Sequence, residues 1–254
     1  MFFNKRCFFI SVLSLVLTSC ASNLLLHDSV TSKKFDETKE IILEHDCITI
    51  GYNYECKQAR WVAYTLKKSD LEGKSQRKNN FKEDPKLNTE FSATDDDYYK
   101  SGYDRGHLAP AADMVSSQNC MNQSFYYSNI SPQEPSCNRG VWKRLESEVR
   151  KWAIQYDSIL VVTGAVLESD KNKRLGQSDI CVPDAFYKAL LVYHNDKTYT
   201  IGFVISNHSS KAELSSFAVT IDELELIINL DFFPFLGKKE QSEIENIVQA
   251  EIWK

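Results

Sequence analysis

No C-x-x-C pair and no H-x-x-x-H pair occurs anywhere in the chain, which argues against a zinc site. No helix-turn-helix or zinc-finger pattern is present either, so nothing suggests sequence-specific reading of a nucleic acid. Internal repeats and low-complexity tracts are absent, which leaves an ordinary globular architecture. Basic residues are not in excess: 30 Lys and Arg stand against 35 Asp and Glu, a net charge of −5. A polyanionic partner would therefore have to be met by a local basic surface.

The chain has 254 residues, 43% hydrophobic and 26% charged, enough for one sizeable core and incompatible with disorder. Lys5 and Arg6 open a targeting segment, and Cys7 to Leu17 is an uncharged apolar run too short to span a bilayer comfortably. Leu17-Thr18-Ser19-Cys20 resembles the lipobox of bacterial lipoproteins. The expected organisation is a signal over 1–19, a tether over 20–40 with lipid on Cys20, and one folded domain over 41–254. The implied location is a cell envelope, outer membrane or periplasmic side. The alternative is an ordinary secretory signal and a freely secreted protein. Cleavage after Ser19 removes two basic residues and no acidic one, moving the net charge to −7.

Five cysteines would remain: Cys47, Cys56, Cys120, Cys137 and Cys181. Export permits disulfides. Cys47 with Cys56 could clip a hairpin and Cys120 with Cys137 could close a second loop. The odd count leaves one thiol over, and connectivity stays open. Ile48 to Tyr54, Arg60 to Leu66 and Ser124 to Ile130 read as strands. Residues 70–97 read as a long polar surface excursion. Val141, Leu145, Val149 and Trp152 recur at helical spacing and predict a helix from about Arg139 to Trp152. Ser158 to Val166 is a buried central strand. Tyr187 to Tyr193 and Tyr199 to Ile205 pair as a hairpin, and Ile221 to Asn229 and Gln241 to Trp253 read as helices. The fold class is α+β, one domain around a largely antiparallel central sheet with flanking helices.

The densest chemistry lies in Tyr103-Asp104-Arg105-Gly106-His107-Leu108-Ala109-Pro110-Ala111-Ala112-Asp113-Met114. A histidine titrates near neutrality and suits general-base work. In a strand, Arg105 and His107 share a face, so a guanidinium fork and an imidazole address one substrate. Taken alone, the histidine is more simply an incidental residue of a surface turn. Tyr126-Tyr127-Ser128-Asn129-Ile130-Ser131-Pro132-Gln133 and Asn138-Arg139-Gly140-Val141-Trp142-Lys143-Arg144-Leu145-Glu146 follow. At helical pitch Asn138 falls within the apolar stripe, where an amide is out of place unless it caps the helix. Glu146 lies about 80° further round, at the stripe's edge, where a solvated charge is the simpler reading. Residues 60–86 hold eight basic and four acidic side chains. Lys67, Lys68, Lys74, Arg77 and Lys78 could line a phosphate cleft or form a solvated face.

Together these three segments resemble the DNA/RNA non-specific endonuclease family, the ββα-metal nucleases. The resemblance runs from about Ile48 to Phe235 and includes Val182-Pro183-Asp184-Ala185-Phe186-Tyr187-Lys188 and Asp231-Phe232-Phe233-Pro234. It departs at Ile228-Asn229, where relatives often carry Thr-Gly. The resemblance implies a ββα-metal finger on the central sheet and hydrolysis of DNA and RNA to 5′-phosphorylated products. It implies His107 as general base, Arg105 stabilising charge on the phosphoryl oxygens, and Asn129 orienting the site. Asn138 would bind one Mg²⁺ (Mn²⁺ is possible) directly, Glu146 would hold it through water, and Asp104 would be structural. A bridge between Cys120 and Cys137 would then brace the start of the helix. A non-catalytic module of the same kind would lack the histidine or the asparagine, and both are present. An effector acting on another cell's nucleic acid is the third reading, which a lipid tether opposes.

Overall fold

The computed structural model describes residues 28–32, 39–167 and 171–254. The targeting segment and Cys20 lie outside the described residues. In chain order the strands and α-helices are β1 (Val30–Ser32), β2 (Glu40–Glu44), β3 (Thr49–Asn53), β4 (Gln58–Lys67), α1 (Asp95–Tyr98), β5 (Asp104–His107), α2 (Gln118–Ser124) and β6 (Ile130–Gln133). Then come α3 (Lys143–Gln155), β7 (Ser158–Ala165), β8 (Lys173–Leu175), β9 (Ile180–Val182), β10 (Ala185–His194), β11 (Lys197–Ser206), β12 (Ala218–Val219), α4 (Ile221–Ile228), β13 (Leu230–Phe232) and α5 (Lys238–Ile244). The fold is α+β, as the sequence predicts.

Seven strands form the central sheet in the order β12-β11-β10-β7-β4-β3-β2, every neighbour antiparallel. Alternation divides its side chains between two cores. Val62, Tyr64 and Leu66 of β4, Ile159 and Val161 of β7, and Phe186 and Leu190 of β10 pack on one face, beneath Leu145, Val149 and Trp152 of α3. Trp61, Ala63, Val162, Tyr187 and Ala189 pack on the other, beneath Ile221, Leu224 and Ile228 of α4. A capping box starts α4: Glu223 N donates to Thr220 Oγ1 at 3.1 Å, and Thr220 N donates to Glu223 Oε2 at 2.9 Å. Asn229 ends it in the left-handed conformation, φ 56°.

Several expectations are corrected. The bridges are Cys47–Cys120 and Cys56–Cys181, with Cys137 free and buried. Cys47 and Cys56 sit at opposite ends of β3, so nearness in sequence does not bring them together. Residues 124–130 are not a strand: α2 ends at Ser124, a 3-10 turn covers Tyr127–Asn129, and pairing begins at Ile130. Their aromatics mimic strand composition but pack in different directions, Phe125 edge-on to Phe81 and Tyr127 stacked on Tyr98. The last helix stops at Ile244. The tail folds onto α3 instead, where Tyr156 Oη donates to the Ile252 carbonyl and Trp253 meets Trp152 edge-on. Val30–Ser32, within the segment expected to be a tether, is a strand paired with β13.

Candidate active site

β5 and β6 form a separate antiparallel pair, Asp104 opposite Gln133 and His107 opposite Ile130, and the chain then enters the helix that becomes α3. Gly106 is needed because a Cβ there would overlap the Gln133 side chain. The helix does not begin as an α-helix. Cys137–Trp142 is broken by a kink at Gly140, whose φ −106°, ψ −110° are not helical, and regular geometry starts at Lys143. The pitch that placed Asn138 in the apolar stripe therefore fails.

Together the finger and helix enclose a cavity of about 420 Å³ whose walls include Arg77, Arg105, His107, Asn138, Arg139, Glu146 and Arg150. His107 is 8% exposed and lies between the rings of Phe81 and Phe125, centroids 5.5 and 4.8 Å away. Among the described residues its buried Nε2 has no hydrogen-bond partner. Burial first, and then the charges of Arg77 and Arg105, push its pKa down to about 3, so the ring is neutral at pH 7.

Asn138 is oriented by charge. Its Nδ2 donates to Asp104 Oδ2 at 2.9 Å, and since a carboxylate only accepts, the amide oxygen must face the other way. Asp104 also receives two bonds from Arg139, at 2.8 and 2.6 Å. Arg105 pairs with Asp95 and lies 4.1 Å from the Phe81 ring centroid, and Arg77 lies 5.4 Å from that of Phe125. The two guanidiniums are thus stacked on aromatics at the cavity's edge.

Asn129 does not line the cavity. It is fully buried, accepts from Ala109 N at 2.9 Å and donates to the carbonyls of Ala109 and Ser124 at 2.9 and 2.8 Å. It fixes the backbone just past His107. Glu146 is half-buried in the cavity wall. Burial raises its pKa, opposed chiefly by the Lys188 ammonium. Among the described residues no cluster of three His, Cys, Asp or Glu could hold a metal. One outward amide oxygen with one nearby carboxylate instead fits an ion that keeps most of its water, as Mg²⁺ does.

Two residues escaped the sequence reading. Arg150, one helical turn beyond Glu146, enters the cavity and donates to buried Asp113 at 2.8 Å. Lys188 is wholly buried below: its Nζ donates to the Leu108 carbonyl at 3.3 Å and to Thr163 Oγ1 at 3.1 Å, and lies 4.6 Å from the Trp142 ring centroid. A strand-alternation argument could have found it, since it shares a face with buried Phe186 and Leu190. Of the five basic residues considered for a phosphate cleft, Arg77 lines this cavity, whereas Lys67 and Lys68 border a separate hollow beside Asp157. Buried His45, Asp84 and Ser128 have the residue types of a hydrolase triad. Here the carboxylate binds both partners, His45 at 2.8 Å and Ser128 at 2.5 Å, which locks the loop rather than activating the serine.

The profile of the DNA/RNA non-specific endonuclease family matches residues 27–238. The chain is similar to the mitochondrial nuclease EXOG of Danio rerio, 33% identical over 210 residues, covering 77% of this chain and 61% of that protein. It thus spans about three fifths of the length of that relative. It is similar to nuclease C1 of Cunninghamella echinulata var. echinulata, 34% identical over 211 residues, with 77% and 84% covered. Human mitochondrial endonuclease G is 32% identical over 196 residues, with 72% and 66% covered. Among solved structures, an EndoG chain in complex with its inhibitor EndoGI superposes with a TM-score of 0.75 at 27% identity, covering 86% of this chain and 93% of that one. These relatives overturn the expected location. EXOG and endonuclease G are named as mitochondrial proteins, and the expectation of a cell-envelope lipoprotein anchored at Cys20 does not stand.

Proposed function

The chain belongs to the DNA/RNA non-specific endonuclease family, and on that premise we propose that it hydrolyses phosphodiester bonds of DNA and RNA to 5′-phosphorylated products, with His107 as general base. The observation that carries this reading is the single cavity shared by a neutral imidazole, a carboxylate-oriented amide and the guanidiniums of Arg77, Arg105 and Arg150. Arg77, Arg105 and Arg150 address the phosphate, and grip on the backbone fits an enzyme indifferent to sequence and sugar.

With Nε2 buried against the aromatic rings, Nδ1 is the nitrogen of the neutral His107 ring left to act as base. It takes the proton of a water that attacks phosphorus as the P–O3′ bond breaks in line. Arg105 and Arg77 hold the non-bridging oxygens as their charge grows. Asn138, through its amide oxygen, and Glu146 beside it would hold one Mg²⁺ or Mn²⁺. When bound, the ion supplies Lewis acidity to the phosphate and the leaving oxygen. Asn129 keeps His107 in register from behind.

The test is cleavage of plasmid and RNA by the purified chain. EDTA should abolish it and Mg²⁺ should restore it. His107→Ala should fold normally and lose at least ~10²-fold in turnover, the scale of a lost general base. Full activity in EDTA, or near-wild-type cleavage by His107→Ala, refutes the mechanism.

A further inference from the structure

A second, larger hollow of about 650 Å³ opens directly from the catalytic cavity, the two sharing Arg77, Arg105, Asn138 and Arg139 at their common edge. Beyond that edge the lining changes character, to tyrosines and carboxylates. Two of its three carboxylates are already paired with guanidiniums, so they offer acceptor oxygens more than free charge. Asp95 is held by Arg105 and Tyr127, and Asp104 by Asn138 and Arg139, whereas Asp96 also lines the hollow. What fits beside a gripped phosphate, against aromatic walls and acceptor oxygens, is the uncharged flat body of a nucleobase.

Tyr99 is built for that contact. It is 72% exposed at the hollow's rim, an unusual position for so large a ring. Its neighbour Tyr98 is buried and stacks on Tyr127, centroids 6.0 Å apart and planes 17° from parallel. Tyr98 therefore anchors the loop that displays Tyr99. The Lys100 ammonium lies 5.0 Å from the Tyr99 centroid and covers one face, leaving the other free. A base inside a duplex cannot offer its face to a ring, so stacking here selects an unpaired or locally opened strand.

We propose that this hollow is a nucleobase subsite in which Tyr99 stacks the unpaired base next to the cleaved phosphate. The proposal rests on the nuclease reading above. The test uses single-stranded oligothymidylates with phosphorothioates at every linkage but one, so that the cut has a known position. Two further substrates carry an abasic residue on one or the other side of that linkage. Wild type should show a raised KM for one of the two abasic substrates. Tyr99→Ala should raise KM for the intact oligomer about 5- to 100-fold, on the scale of one lost base stack. It should leave kcat nearly unchanged and be indifferent to the missing base, and Tyr99→Phe should behave as wild type. If wild type cuts the oligomers but neither Tyr99→Ala nor either abasic site moves KM, the subsite is wrong and the nuclease reading stands. If wild type with Mg²⁺ cuts none of them, nor RNA nor plasmid, both fall.

Discussion

The two faces of the central sheet are built from the same strands and do opposite things. On the α4 face, Trp61, Val162, Ala189 and Leu224 form an apolar layer, and the polar atom of Tyr187 is satisfied by the Arg60 carbonyl at 3.0 Å. On the α3 face, Phe186 and Leu190 flank Lys188, and Asp113, Arg150 and Glu146 lie above it. A core could have been closed with hydrocarbon on both sides. Among the described residues, the one buried charged side chain that the central strands contribute, Lys188, lies on the face of the site, and that placement separates what holds the fold from what serves the reaction.

The comparison breaks most visibly at Lys188. Lys188→Met removes the cation facing Asp113 and Glu146 and should cost roughly 3 kcal/mol or more, as for one partner lost from a buried charge cluster. Turnover should fall as well, because the Leu108 carbonyl beside His107 loses its donor. A urea melt and kinetics on the folded protein check this, and wild-type values in both would show the charge to be idle. On the opposite face, Leu224→Ala should cost about 3 kcal/mol through the cavity it leaves. Its kcat/KM per folded molecule should match wild type, and a selective loss of activity would deny the separation of the faces. Asp104→Asn frees the Asn138 amide to turn. The divalent-ion concentration for half-maximal cleavage should rise ~10-fold or more, as for other outer-sphere partners, and an unchanged titration removes Asp104 from ion binding. The smallest effect belongs to Tyr187→Phe, about 1 kcal/mol for one hydrogen bond, with no change in cleavage.

What the sequence made legible was local. Asp104 to His107 announce themselves because strand alternation and the D-R-G-H string lie within four residues. The central strand over 158–165 and the hairpin around His194 to Lys197 follow from runs of apolar residues. What stayed hidden depends on distant parts meeting. Cys56 and Cys181 are 125 residues apart and are joined by the sheet, not by a turn. Arg150 looks like any helix-surface charge until Asp113 arrives from another segment. Lys188 lies in a strand read from its apolar run, and the carboxylates that face it, Glu146 and Asp113, come from other segments.

The kink at Gly140 has a further consequence for how this molecule tolerates change. It acts as a joint between two helical pieces. Beyond it, Val149 and Trp152 keep step with the core; before it, Asn138 belongs to a short turn of its own, closed by the bond from its backbone N to the Glu134 carbonyl at 2.9 Å. The two directions are set separately, so mutation along α3 can tune the core without steering the amide off target. Straightening the joint would tie one direction to the other, and a site could then be lost while the packing of α3 survives.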